Sequence, residues 1–105
     1  MAREKFHTLT EQMFYILLCL RSECCGVDIM EQVAKMTDGR VSIGPGTLYS
    51  LLESFQAEGF IRETRVEGRR RSYMLSVKGQ LRLEEEYRRI LQQAEDYRKA
   101  VEGGF

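Results

Sequence analysis

Along the first half of this chain the apolar positions step by threes and fours. Met13, Ile16, Leu17 and Leu20 form one stripe, and Phe14, Leu18 and Cys19 widen it to nearly all-round hydrophobicity. That pattern predicts a first helix needing cover on several sides. Thr8 and Glu11 have capping-box spacing, so it is expected to start at Thr8 or Thr10. Ser22 to Gly26 breaks the rhythm. Val27 to Thr37 resumes it as a second helix with Ile29, Met30, Val33 and Met36 inward, and Asp38-Gly39 ends it. Arg40 to Ile43 reads as a short extended link. Gly44-Pro45-Gly46-Thr47 then opens a third helix over residues 46–58, with Pro45 presetting φ and Thr47 as the expected cap. Leu48, Leu51, Leu52 and Phe55 are its stripe, and Gly59 is its stop.

Past Gly59 the rhythm changes. Phe60 to Val66 runs β-like into Glu67-Gly68, and Arg71 to Leu75 runs back, which places Arg69, Arg70 and Arg71 at or just after a hairpin turn. From Gly79 to about Val101 the chain is helical again. Leu83, Tyr87, Ile90, Leu91, Ala94, Tyr97 and Val101 form a seam nearer to a heptad than to a one-sided surface helix. A small domain cannot cover so long a stripe, and a second copy of the chain is the expected partner. Glu84-Glu85-Glu86 and Arg88-Arg89 read as a solvated rim, with Glu84–Arg88 and Glu85–Arg89 pairs one helical turn apart. The expected class is mainly α with a small β-hairpin (α+β). Residues 1–78 form a winged helix-turn-helix domain, and residues 79–105 a long C-terminal dimerisation helix.

Composition agrees with one folded domain: 105 residues, 43% hydrophobic, one Pro. A core this small gains from a second subunit. Formal net charge is zero, but its distribution is uneven: −3 over residues 1–59, +4 over 60–78 and −1 over 79–105. The hairpin is the positive segment. A phosphate responds to charge within a Debye length of roughly 8 Å, so a neutral protein can still carry a nucleic-acid-binding edge. Helix 46–58 would enter the major groove with Thr47 and Ser50 near base edges and the Tyr49 hydroxyl on a phosphate. The wing, residues 60–76, would lie on the backbone. Arg40 and Ser42 in the link, Arg69, Arg70, Arg71 and Tyr73 in the wing, and Lys78 complete the candidate DNA contacts. Tyr73 has a second reading: in the alternation Arg71, Tyr73, Leu75 it packs one face of the hairpin against the helices. A second class stays open: with Glu53 and Glu58 on the third helix and no basic residue between Thr47 and Gly59, the domain could be a protein-interaction module whose wing meets an acidic partner.

Other chemistry finds little support. His7 is the single histidine and no nucleophile motif accompanies it, so an enzyme is not expected. Cys24-Cys25 lacks the C-x-x-C spacing of a zinc site; neither a metal nor another cofactor is expected. Cys19, Cys24 and Cys25 read either as buried packing or as redox-sensing thiols. Met1 to Lys5 is charged and unlike a leader. The longest apolar run, Met13 to Leu20, is too short to span a bilayer, so the expected compartment is the cytoplasm.

Gly44-Pro45-Gly46-Thr47-Leu48-Tyr49, Glu58-Gly59-Phe60-Ile61 and Arg71-Ser72-Tyr73-Met74-Leu75-Ser76 with Gly79 resemble the PadR family of bacterial transcriptional regulators. Leu9-Thr10, Ile16-Leu17 and Gly26-Val27-Asp28-Ile29 extend the resemblance upstream, and the lone terminal helix is similar to the short subfamily. The resemblance implies a repressor that binds a pseudo-palindromic double-stranded DNA operator as a homodimer. It implies dimerisation through the first and last helices, here Phe14, Leu17, Leu83, Tyr87, Ile90, Leu91, Ala94, Tyr97 and Val101. It also implies a small hydrophobic or aromatic effector between those helices, for which Phe14, Leu18, Tyr87 and Ile90 are the candidate lining. One departure matters: many relatives carry Arg or Lys where this chain has Ser50, Glu53 and Ser54. Affinity is then expected to lean on Arg40, the wing arginines and Lys78.

Overall fold

The computed structural model describes residues 8–104; His7 and the charged start of the chain lie outside the described residues. The order is α1 (Glu11–Cys19), β1 (Cys24–Cys25), α2 (Gly26–Met36), α3 (Pro45–Glu58), β2 (Ile61–Glu67), β3 (Arg70–Leu75) and α4 (Val77–Gly103). Thr10 caps α1: its hydroxyl accepts from the Met13 amide at 3.2 Å, and the Met13 sulfur accepts from the Thr10 amide. The cap of α3 is Gly44, with no side-chain bond, so Thr47 is a free exposed side chain rather than the expected cap. Gly59 ends α3 in the left-handed conformation, φ 79°.

The core is where the helical stripes converge. Ile16, Leu17, Leu20, Ile29, Val33, Leu48, Leu52 and Phe55 are all fully buried. Burying one such side chain contributes roughly 1.5–3 kcal/mol, so this set is the main stabilising term. Four stripe residues depart from expectation. Met13, Met30 and Leu51 are half-buried, and Met36, at the last turn of α2, stands half exposed.

The sheet is antiparallel in the order β1-β3-β2. β1 was not expected: Cys24 and Cys25 pair with Tyr73 and Ser72, making β3 the central strand. The hairpin registers Glu67 opposite Arg70, so Gly68 and Arg69 form a two-residue turn. Thr64 is an extra residue between the Glu63–Tyr73 and Arg65–Ser72 pairs, a bulge that increases the twist of the wing.

Helix α4 starts at Val77, two residues before the expected Gly79, capped by the Ser76 hydroxyl on the Gly79 amide at 3.1 Å. Gly79 marks where α4 crosses the entry to β2. A Cβ there would lie 2.0 Å from the Phe60 carbonyl oxygen, a distance only glycine avoids. The buried residues of α4 are Gly79, Arg82, Leu83 and Glu86, and none follows. The rest of the helix projects past the domain. The radius of gyration, 15.6 Å, accordingly exceeds the roughly 13 Å of a compact chain this long.

The root of α4 holds a polar network that the sequence pattern hid. Glu86 was expected on a solvated rim, yet it is 1% exposed and accepts from Arg82 at 3.4 Å and from Arg89. Arg89 is therefore not paired with Glu85, which instead meets Arg82 at 3.3 Å; the expected Glu84–Arg88 pair is present at 3.6 Å. Burial pushes the Glu86 carboxyl up, but the Arg89 hydrogen bond, the Leu9 amide and the charges of Arg89 and Arg82 outweigh it and hold it below the usual carboxylate range. One carboxylate thus ties α4 to the entry of α1.

Candidate nucleic-acid interface

The exposed side of α3 and the basic turn of the wing face one another across a cavity of about 320 Å³. Tyr49 supplies one wall, Arg69, Arg70 and Arg71 another, and Gly26 and Val27 at the start of α2 the floor. Three local rules produce this. The glycine-capped entry sets α3 so that Leu48 and Leu52 are buried and Tyr49, Ser50 and Thr47 face outward. The tight Gly68-Arg69 turn projects three consecutive arginines. The start of α2, adjoining β1 beside β3, faces both.

Charge on the wing is partly neutralised. Arg71 bonds Glu63 at 3.3 Å and Arg65 lies 3.7 Å from Glu67, both in water and each contributing little to stability. Arg69 and Arg70 form no ion pair among the described residues and keep their full charge for an anion.

The other sequence candidates divide. Arg40 and Ser42 are exposed but fixed by α1: the Arg40 guanidinium donates to the Tyr15 hydroxyl at 3.1 Å, and the Ser42 carbonyl accepts from Gln12 at 3.1 Å. Tyr73 is not available as a surface contact. It is 5% exposed and part of the core, because β1 and β2 cover β3 on both edges. Burial, with Glu63 adding to it, pushes its phenol up. Lys78 lies at the far end of α3 from Thr47. Its ammonium donates to the Glu58 carbonyl at 2.7 Å and sits 5.4 Å from the Phe60 ring centre, so it closes the C-terminus of α3.

Among the expected interface and effector residues, Leu17 and Leu83 belong to the protomer's own core and have almost no surface to offer a partner. Tyr87, Ile90, Leu91, Ala94, Tyr97 and Val101 are exposed along α4, and Phe14 is half-buried. A cavity of about 510 Å³ between α1 and α4 is lined by Phe14, Tyr15, Tyr87 and Ile90, with Glu86 and Arg89 at one side. Leu18 is not part of it; it faces a different cavity with Cys19 and Cys24.

Gly26 is the residue that spacing alone did not mark. It belongs to the Gly-Val-Asp-Ile run of the resemblance, but its reason is tertiary: Tyr49 packs directly on it.

The model of the transcriptional regulator PadR-like family matches residues 16–85, from α1 through the wing to the root of α4. The chain belongs to the PadR-like family. Members are transcription regulators, not enzymes. No curated protein matches it in sequence. Among solved structures, a transcriptional regulator from Clostridium thermocellum is similar at TM-score 0.74 and 20% identity, over 88% of this chain and 93% of that one. A PadR family transcriptional regulator from Eggerthella lenta DSM 2243 gives 0.74 and 20%, over 86% and 80%. Bacillus subtilis PadR in complex with operator DNA gives 0.62 and 26%, over 70% of this chain and 44% of that one. The PadR-like winged helix, long terminal helix included, is therefore the fold of this chain. Among the described residues no helix is long and apolar enough to cross a membrane, and no group of three His, Cys, Asp or Glu is placed to hold a metal.

Proposed function

We propose that this PadR-like regulator is a homodimeric repressor of a pseudo-palindromic DNA operator. Helix α3 lies in the major groove with Thr47 and Ser50 toward base edges, and the wing lies on phosphates. The observation that carries the reading is the cavity shared by Tyr49 and the three arginines: it makes the exposed side of α3 and the charged turn one continuous surface. The Bacillus subtilis relative described with operator DNA supports the same class of partner. Residues 8–78 act as the DNA-binding unit and α4 beyond Glu86 as the dimerisation unit. The exposed stripe Tyr87, Ile90, Leu91, Ala94, Tyr97 and Val101 supports self-association. Two α3 helices would then meet half-sites about one turn, roughly 34 Å, apart. Repression is the family default. A small hydrophobic or aromatic effector would occupy the space between α1 and α4, against Phe14, Tyr87 and Ile90.

Binding of the full chain to duplex DNA carrying its own promoter, across a salt series, tests this. A salt-dependent, sequence-preferring complex is expected. Failure to bind any duplex in dilute buffer, with the wing docking an acidic protein instead, would give the function to the interaction-module reading, which the exposed Glu53 on α3 favours.

A further inference from the structure

The cation that precedes α3 is held differently from those of the wing. No basic residue lies between Arg40 and Arg62, so the link from α2 into α3 carries its positive charge on Arg40 alone. That link is pinned residue by residue. Val41 and Ile43 are buried in the core, while Arg40 and Ser42 are exposed. The Thr37 hydroxyl, at the end of α2, accepts from the Val41 amide at 3.0 Å. From α1, the Gln12 side-chain amide donates to the Ser42 carbonyl and the Tyr15 hydroxyl accepts from the Arg40 guanidinium, each at 3.1 Å. Helix α1 therefore holds both exposed residues of the segment that delivers α3.

The partners of Arg40 are neutral. A second guanidinium nitrogen donates to the Thr37 carbonyl at 3.5 Å, and among the described residues no carboxylate pairs with Arg40. On the wing, by contrast, Arg65 and Arg71 face Glu67 and Glu63. A carboxylate cancels charge, whereas a phenol oxygen and a carbonyl only fix direction. An arginine has five N–H donors in a planar fork; with two engaged, Arg40 keeps its full charge and three donors for an oxyanion. Its long side chain is also ordered beforehand, so the freedom that an unheld arginine loses on meeting a phosphate is already lost in the folded protein.

The Tyr15 ring is placed without its hydroxyl. It meets the Phe14 ring edge-on, centres 5.5 Å apart, and borders the cavity between α1 and α4. The hydroxyl serves Arg40. We propose that Tyr15 is a positioning residue for DNA binding, its hydroxyl orienting the Arg40 guanidinium onto a phosphate at the entry to α3. This rests on the operator binding proposed above and adds to it a residue of α1, outside the helix-turn-helix pair and the wing.

A double-variant cycle on the full chain, with duplex DNA carrying its own promoter and across a salt series, tests the role. Arg40→Ala is expected to lower the slope of log affinity against log salt by about one unit. Tyr15→Phe keeps both the ring and the cation, so its slope should match that of the native chain while affinity falls about threefold to tenfold, the scale of ordering one long side chain. In the Arg40→Ala background Tyr15→Phe should change nothing further, because the hydroxyl has lost the group it orients. Circular dichroism checks the fold of each variant. A hydroxyl that merely supports α1 would lower affinity equally in both backgrounds, and that result overturns the inference. Native affinity in Tyr15→Phe, or an unchanged slope in Arg40→Ala, does so as well. These three results leave operator binding standing, whereas a native chain that ignores every duplex overturns the operator reading and this inference together.

Discussion

Tyr49 rests on Gly26: a Cβ at position 26 would lie 2.7 Å from the Tyr49 hydroxyl and 2.9 Å from its ring. The contact joins the two helices of the helix-turn-helix, through one residue at the start of α2 and one on the exposed side of α3. It fixes where the phenol points. We expect Gly26→Ala to displace Tyr49 and cost about 1–3 kcal/mol in stability through overpacking, with a further loss of operator affinity. In the double variant Gly26→Ala, Tyr49→Phe, stability should be recovered in part, since the hydroxyl is the nearest atom. Chemical denaturation and DNA titration on the same samples read both effects, and full additivity of the two substitutions would contradict the contact.

Arg70 and Lys78 make a matched pair of cations with opposite assignments. Arg70 has no ion pair among the described residues and lines the Tyr49 cavity, so Arg70→Ala is expected to lower the slope of log affinity against log salt by about one unit. Lys78 is engaged by the Glu58 carbonyl and the Phe60 ring. For Lys78→Ala the expectation is about 1 kcal/mol or less of lost stability and an unchanged salt slope. An altered slope in Lys78→Ala would return that residue to the DNA contacts.

Glu86 offers a pH signature. Its folded-state carboxyl lies below the usual value of 4.5, so the carboxylate stabilises the fold fully above that value and the contribution disappears as pH falls through the lower folded value. Native protein should lose stability as acid is added below about pH 4.5, and Glu86→Gln should lose less over the same interval. At neutral pH, Glu86→Gln is expected to cost about 2–3 kcal/mol, because Arg82 stays buried while the more exposed Arg89 is partly screened by water. Thermal unfolding from pH 3 to 7 separates the two curves, and parallel curves would refute the assignment.

The exposed stripe on α4 is expected to fail as an interface when a charge is placed in it. Ile90→Glu should raise the dimer dissociation constant at least about a hundredfold, on the scale of a central interface residue, while leaving the winged domain folded, since Ile90 lies beyond the last buried residue of the helix. Sedimentation equilibrium at micromolar concentration measures it. A chain already monomeric before substitution would refute self-association through this helix.

How much of this was legible beforehand follows from what each signal encodes. Periodicity reports which face of an element is apolar, and it placed Ile16, Leu20, Leu48, Leu52 and Phe55 correctly. Turn chemistry placed Gly59 and the hairpin. Neither signal reports which buried faces belong to the protomer and which to a partner. Leu17 and Leu83 therefore look in sequence like Ile90, although the structure puts them in the protomer's core and Ile90 on its surface. A charge run is likewise ambiguous. Glu84, Glu85 and Glu86 are indistinguishable in a row, and only the angle at which α4 meets α1 selects Glu86 for burial. The two-residue strand at Cys24 carries too few residues for any period, and its existence depends on β3 arriving beside it. Tyr73 is covered for the same reason.

After Glu86 no residue of α4 is buried, and from there to Gly103 the helix runs about 25 Å at 1.5 Å per residue. A stiff rod anchored only at its root, by Gly79 against Phe60, Leu83 in the core and the Glu86 carboxylate, acts as a lever: ten degrees of tilt at the anchor moves its tip by roughly 4 Å over that length. Whatever enters the space beside Glu86, Tyr87 and Phe14 would push at the fulcrum, where a small displacement has its greatest leverage on everything attached to the far end.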